Sequence, residues 1–136
     1  MSTPPDEELR TILAYDTVAV VGCSSTPGKT SHDIPLYLHQ VGYEIHPVNP
    51  GTDEIFGRTA YDTVGDVPEG IDVVQVFRPE FEVIDIVEAA LERGDVKAIW
   101  LQQGIRSYAA ALRAEDAGVA FVEDRCMGVE HRRLVG

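Results

Sequence analysis

Thr17-Val18-Ala19-Val20-Val21-Gly22-Cys23-Ser24-Ser25-Thr26-Pro27-Gly28-Lys29-Thr30 reads as a buried strand, a glycine turn and the start of a helix. Such a turn lets backbone N–H groups approach an anion, and the helix end adds partial positive charge. The stretch therefore predicts a phosphate-binding loop at the carboxyl end of a strand in an α/β sheet.

Two phosphate-loop patterns come close and fail. A P-loop needs four residues between its glycines, but Cys23 to Pro27 intervene here. Pro27 also removes one N–H from a nest that works by offering them. Later strand ends, Val76-Phe77-Arg78-Pro79 and Trp100-Leu101-Gln102, hold no Mg²⁺-binding Asp. The dinucleotide fingerprint fails on its missing second glycine. Its ribose-binding acid is missing too, because the next strand ends in His46-Pro47-Val48-Asn49-Pro50.

Outward from the loop, strands alternate with helices. Asp6 caps a short opening helix with Leu9, Ile12 and Leu13 on one face. After strand Thr17–Val21, a helix runs from about Ser31 to Val41, with Pro35 tolerable only in its first turn; Gly42 stops it. Strand Tyr43–Val48 leads into a looser segment around Ile55-Phe56-Gly57-Arg58 and Ala60-Tyr61. Strand Asp72–Phe77 precedes a periodic helix with Val83, Ile84, Val87, Ala90 and Leu91 on one face, ended by Gly94. Strand Lys97–Leu101, a helix capped by Ser107 and reaching Ala117, strand Val119–Val122 and a last helix from Gly128 to Leu134 complete the chain. This alternation requires right-handed crossovers and a parallel sheet. The expected architecture is one domain over residues 1–136, a doubly wound five-stranded parallel sheet in three α/β/α layers, of strand order 3-2-1-4-5. Ligands bind outside the carboxyl ends of such strands, beside strand one.

Composition narrows the function. The chain has 136 residues and a net charge of −12, which argues against nucleic acid or an anionic membrane as partner. Its apolar runs are strand-sized, and the acidic Met1–Glu8 lacks the basic-then-apolar order of a signal peptide. A cytoplasmic protein is therefore expected. Lys29 and Lys97 are the two lysines beside nine arginines. This acid-rich, lysine-poor balance resembles that of halophilic proteins from salt-loving archaea, kept soluble in brine by hydrated carboxylates; an ordinary acidic bacterial domain is the alternative. Cys23 and Cys126 form no disulfide framework or zinc site. Both sit at strand-to-loop junctions, either as small buried thiols or as a pair near one cleft. His32, His39, His46 and His131 show no metal spacing, and no metal is assigned.

Lys29, Arg58, Arg78, Arg106 and Arg125 each follow a different strand, so the topology lines them along one rim. Arg binds phosphate bidentately and Lys as a point charge; a ligand with several phosphates fits such a rim. Loops are also simply where charged residues go.

The ordered set of motifs resembles the small, single-domain CoA-binding proteins of bacteria and archaea. Their Rossmann-like fold is similar to the CoA-binding domain of the succinyl-CoA synthetase alpha chain. The matching pieces are Val21 through Lys29, Gly42-Tyr43 through Pro47-Val48-Asn49-Pro50, and Gly57-Arg58 with Tyr61. Val76-Phe77-Arg78-Pro79, Trp100-Leu101-Gln102 and Asp124-Arg125-Cys126-Met127 with Glu130-His131 follow. The resemblance implies that Gly22, Cys23, Ser24, Ser25 and Lys29 form the loop that cradles the CoA pyrophosphate. It further implies Val48, Asn49 and Pro50 beside the ribose, Arg58 at the 3′-phosphate, and Phe77, Arg78 and Pro79 on the adenine side. Gln102 would line the pantetheine path, with Cys126 and Met127 closing the cleft. The chain departs from the synthetase relatives at Gly51, where they carry phosphate-binding lysines, and it lacks their phosphohistidine domain.

The leading expectation is a non-catalytic module that binds CoA or an acyl-CoA and senses, carries or presents it, as a homodimer or with a protein partner. No catalytic residues are assigned, since no catalytic constellation is evident. Two alternatives stay open: another nucleotide ligand, ATP or NAD(P), and CoA-linked thiol exchange through Cys23 or Cys126.

Overall fold

Strands and helices alternate along the chain in the computed structural model, which describes residues 4–136. Met1, Ser2 and Thr3, part of the acidic start, lie outside the described residues. The elements are α1 (Asp6–Leu13), β1 (Thr17–Val21), α2 (Thr30–Gln40), β2 (Glu44–Val48), β3 (Glu54–Ile55), β4 (Arg58–Thr59), a 3₁₀ turn (Val64–Asp66), β5 (Val73–Val76), α3 (Glu80–Arg93), β6 (Ala98–Leu101), α4 (Tyr108–Asp116), β7 (Ala120–Val122) and α5 (Met127–Leu134).

Five strands form a parallel sheet ordered β2-β1-β5-β6-β7. The fold class is as expected, but the strand order is 2-1-3-4-5 rather than 3-2-1-4-5. Pro47 gives the physical reason. The Pro47 carbonyl accepts from Tyr61 N–H on the outer side of β2 (3.1 Å), and in a parallel strand a residue's N–H points the same way as its carbonyl. Proline has no N–H to offer there, so that side of β2 cannot carry a full ladder and suits an edge. The next long strand, β5, docks on the other side of β1 instead.

On its outer edge β2 is bridged by one residue. Tyr61 bridges Val48 in parallel, and its carbonyl accepts from Asn49 N–H (2.8 Å). The looser segment before it is a small hairpin, β3 against β4, turned by Phe56 (φ 57°) and Gly57 (φ 72°), the two positive φ values of a type I′ turn.

Apolar side chains fill both faces of the sheet. On one face Val18, Val20, Ile45, Val73 and Trp100 pack with α1, α2 and α5 through Leu9, Ile12, Leu38 and Met127. On the other, Ala19, Val74, Val76 and Ile99 meet Val83, Val87 and Ala90 of α3 and Ala110 of α4. Ser107 caps α4, its Oγ accepting from Ala110 N–H at 3.1 Å. Gly94 (φ 82°) ends α3 in the left-handed conformation.

Helix α2 begins at Thr30, so Pro35 lies past the first turn, contrary to the expectation. Pro35 has no N–H for the Ser31 carbonyl one turn back. That carbonyl is taken by Ser24 N–H of the preceding loop (3.0 Å). The helix defect is thereby satisfied, and it anchors the loop.

Candidate functional site

The loop after β1 is held at four points. Gly22 N–H donates to the Val48 carbonyl (2.9 Å) and Ser24 N–H to Ser31. Thr26 N–H donates to Ser24 Oγ (3.0 Å) and Gly28 N–H to Asp33 Oδ1 (3.1 Å). Asn49 then ties the loops after β1 and β2 together. Its Nδ2 donates to the Cys23 carbonyl (2.8 Å), and its Oδ1 accepts from Gly51 N–H (2.7 Å). The N–H groups of Cys23 and Ser31 have no protein acceptor among the described residues.

These loops border a cleft of about 580 Å³ over the carboxyl ends of β1, β2 and β5. Lys29 lines it, and among the described residues no carboxylate lies within ion-pair distance of its ammonium. Val21, Val48, Val64, Phe77, Ile86 and Ala89 supply most of the apolar lining. Two cations (Lys29, Arg78) and three carboxylates (Asp62, Glu82, Asp85) border it.

Gly22 is required by contact as well as by conformation. Its φ is +87°, and a Cβ there would stand 2.8 Å from Arg78 Cδ and 3.3 Å from the Phe77 carbonyl oxygen. Arg78 lies across the turn in the space a side chain would take. Its Nε and Nη2 reach Glu82 at 3.1 and 2.7 Å. The Arg78 hydrogen bonds hold the Glu82 carboxyl below its usual range, and Glu82 in turn raises the Arg78 guanidinium further.

The cleft brings together Gly22, Cys23, Ser24, Lys29, Val48, Asn49, Pro50, Phe77 and Arg78 from the expected set. Ser25 is an exposed loop residue, and Pro79 stands before α3 as its exposed N-cap. Arg58 lies in β4, and neither it, Ser25 nor Pro79 lines the cleft. Gln102, Cys126 and Met127 fall elsewhere. Gln102 Oε1 accepts from Met127 N–H (2.9 Å) and from Gln75 Nε2 (3.2 Å). Both glutamines and Met127 are buried, and among the described residues the Gln75 oxygen has no partner. This glutamine chain fastens β5 and β6 to the start of α5.

The row of five rim cations therefore divides. Arg106 reaches Asp124 at 2.7 Å and Glu123 at 3.9 Å. Arg125 reaches the buried Glu130 at 2.7 Å, and Arg133 holds the other Glu130 oxygen at 2.7 Å. These arginines neutralise acids outside the cleft, whereas Lys29 and Arg78 line it, Arg78 paired with Glu82. The cysteines are separated as well: Cys23 borders the cleft and Cys126 does not. Burial pushes the Cys23 thiol up to about 12, the opposite of what thiol exchange needs.

Sequence reasoning missed Ser31, Asp62, Thr63, Val64, Glu82, Asp85, Ile86 and Ala89. The last two pairs carry a legible signal: positions 82, 85, 86 and 89 form a helical stripe beside the core stripe of 83, 87 and 90. Asp62 and Thr63 carry none, because they reach the cleft through a long-range pairing, the Tyr61–Val48 bridge beside them.

Among the described residues, no group of three or more His, Cys, Asp or Glu could hold a metal ion. No helix of the described residues is long and apolar enough to cross a membrane.

Comparison with known proteins adds a family to this geometry. The model of the CoA binding domain matches residues 16–132. The chain is 35% identical to the Bacillus subtilis protein YneT over 132 residues, 96% of this chain and 97% of that one. It is 34% identical over 99 residues to an ADP-forming acetate–CoA ligase of Methanocaldococcus jannaschii, covering 73% of this chain but 14% of the ligase. Among solved structures, a protein of Pyrococcus horikoshii OT3 superposes with a TM-score of 0.93 at 37% identity, covering 100% of this chain and 99% of that one.

Proposed function

The chain belongs to the CoA binding domain family, and from that membership we propose that it binds CoA or an acyl-CoA in the cleft without acting on it chemically. One observation carries the reading. The cleft joins Lys29, which among the described residues has no carboxylate within ion-pair distance, and the start of α2 to a lining rich in apolar side chains. That is the division a nucleotide needs, with a charged diphosphate next to a flat apolar base. Its volume lies in the range of small-molecule clefts.

In this reading, Lys29 and the Ser31 N–H hold the diphosphate, in the positive field of the α2 N-terminus. The adenine ring lies against Val48, Val64, Ile86 and Ala89, with Asn49-Pro50 beside the ribose. Bound CoA would supply a thiol able to carry acyl groups as thioesters. The protein's part is to bind and orient. Two features support a non-catalytic role: Arg78 and Glu82 are occupied with each other, and the Cys23 thiol is buried with its pKa pushed up.

Isothermal titration with CoA, ATP and NAD tests the reading. Because the acidic, lysine-poor surface points to strong brine, the titrations are run in dilute and in molar KCl. The expected result is a CoA Kd of about 10 µM or tighter, with ATP and NAD weaker. Heat from ATP or NAD and none from CoA would overturn it.

A further inference from the structure

We infer that Asp62 sets the ribose specificity of the cleft, accepting from free ribose hydroxyls and disfavouring a phosphate on them. This rests on the reading that the cleft holds the adenosine end of a CoA-type nucleotide.

The argument begins with register. Tyr61 pairs in parallel with Val48, the last residue of β2, and its carbonyl accepts from Asn49 N–H at 2.8 Å. Asp62 is the next residue, so it runs past the carboxyl end of β2 alongside Asn49. Asp62, Asn49 and Pro50 line the same cleft. In nucleotide-binding α/β folds, an acid near the end of the second strand binds the ribose hydroxyls, and a nearby arginine replaces that role when the ribose carries a phosphate. The β2 strand of this chain ends without an acid. The covering segment supplies one from 13 residues further along.

Charge chemistry gives the specificity its direction. An ionised carboxylate only accepts hydrogen bonds, so it pairs with a hydroxyl and repels a phosphate. Among the described residues, two cations line the cleft and neither is within ion-pair distance of Asp62. Lys29 belongs to the loop after β1, and Arg78 is bonded through two nitrogens to Glu82. Neither Gly51 nor Arg58 is among the lining residues. The cleft therefore takes dephospho-CoA, with its unmodified ribose, in preference to CoA.

The test is titration of CoA and dephospho-CoA into the wild type, Asp62→Asn and Arg58→Ala, in dilute and in molar KCl. Asp62 is exposed, so the variant is expected to fold. Dephospho-CoA should bind about tenfold tighter than CoA to the wild type, a difference of about 1.4 kcal/mol. Asp62→Asn should close most of that gap by strengthening CoA, and molar salt should narrow it by screening. A gap that Asp62→Asn leaves unchanged overturns the inference. So does tighter binding of CoA that is lost in Arg58→Ala, which would give phosphate recognition to Arg58. Binding of both nucleotides without preference overturns this inference alone, whereas binding of neither overturns the function it rests on.

Discussion

Among the described residues, Lys29, in the loop after β1, has no carboxylate within ion-pair distance, and the Ser31 N–H at the start of α2 has no acceptor. At the ends of β6 and β7, Arg106 and Arg125 are each tied to acids, and Gln102 is fastened to Gln75 and Met127. Both halves of the rim carry basic residues after parallel strands. What separates Lys29 from Arg106 and Arg125 is pairing: a cation that already has its acid contributes to folding, and one without is available to a ligand; Arg78, at the cleft but paired with Glu82, belongs with the former. Counting positive residues along a strand edge therefore finds the rim but not the site.

The largest expected effect that would break this comparison comes from Gly22→Ala. The left-handed backbone and the 2.8 Å approach to Arg78 Cδ should destabilise the fold by about 1–3 kcal/mol and weaken CoA binding more than about hundredfold. Denaturant melts and calorimetry would measure both; wild-type affinity would move the ligand away from this turn.

Lys29→Ala and Arg125→Ala sharpen the comparison. Lys29→Ala should weaken CoA about tenfold with an unchanged melting temperature. Arg125→Ala should leave affinity unchanged while costing about 1–3 kcal/mol of stability, because buried Glu130 loses one of its two partners. Exchanged outcomes would erase the distinction between the halves.

The smallest effect is an acid titration within the filled half. Gly104 N–H and then Arg106 hold the Asp124 carboxyl below its ordinary 3.8. With the folded pKa below the unfolded one, its contribution is present above about pH 4 and is lost as pH falls through the folded value. Urea melts from pH 5 to pH 2 should show a shallower loss in Asp124→Asn than in the wild type.

Much of this was legible in sequence, and the exceptions have physical causes. The run from Thr17 to Lys29, the α3 core stripe and the Ser107 cap are local patterns, and each falls where its chemistry requires. The strand order was missed although Pro47 signalled an edge, because a proline's absent N–H matters only once the direction it faces is known. Glu82, Asp85, Ile86 and Ala89 were legible as a second stripe. Gln102 and Met127 follow or lie near strand ends, as site residues do, yet a partner glutamine buried in β5 draws Gln102 inward. Asp62 depends on a bridge across 13 residues of chain, which no local pattern encodes.

Pro35 also makes one proton a gauge of the whole loop. Ser24 N–H is bonded to the carbonyl that Pro35 leaves free, so it meets solvent only when the loop lifts from α2. Its deuterium exchange rate therefore measures the free energy of that opening. A ligand seated on the loop would slow this exchange, and Pro35→Ala would speed it by giving the Ser31 carbonyl a rival donor within the helix.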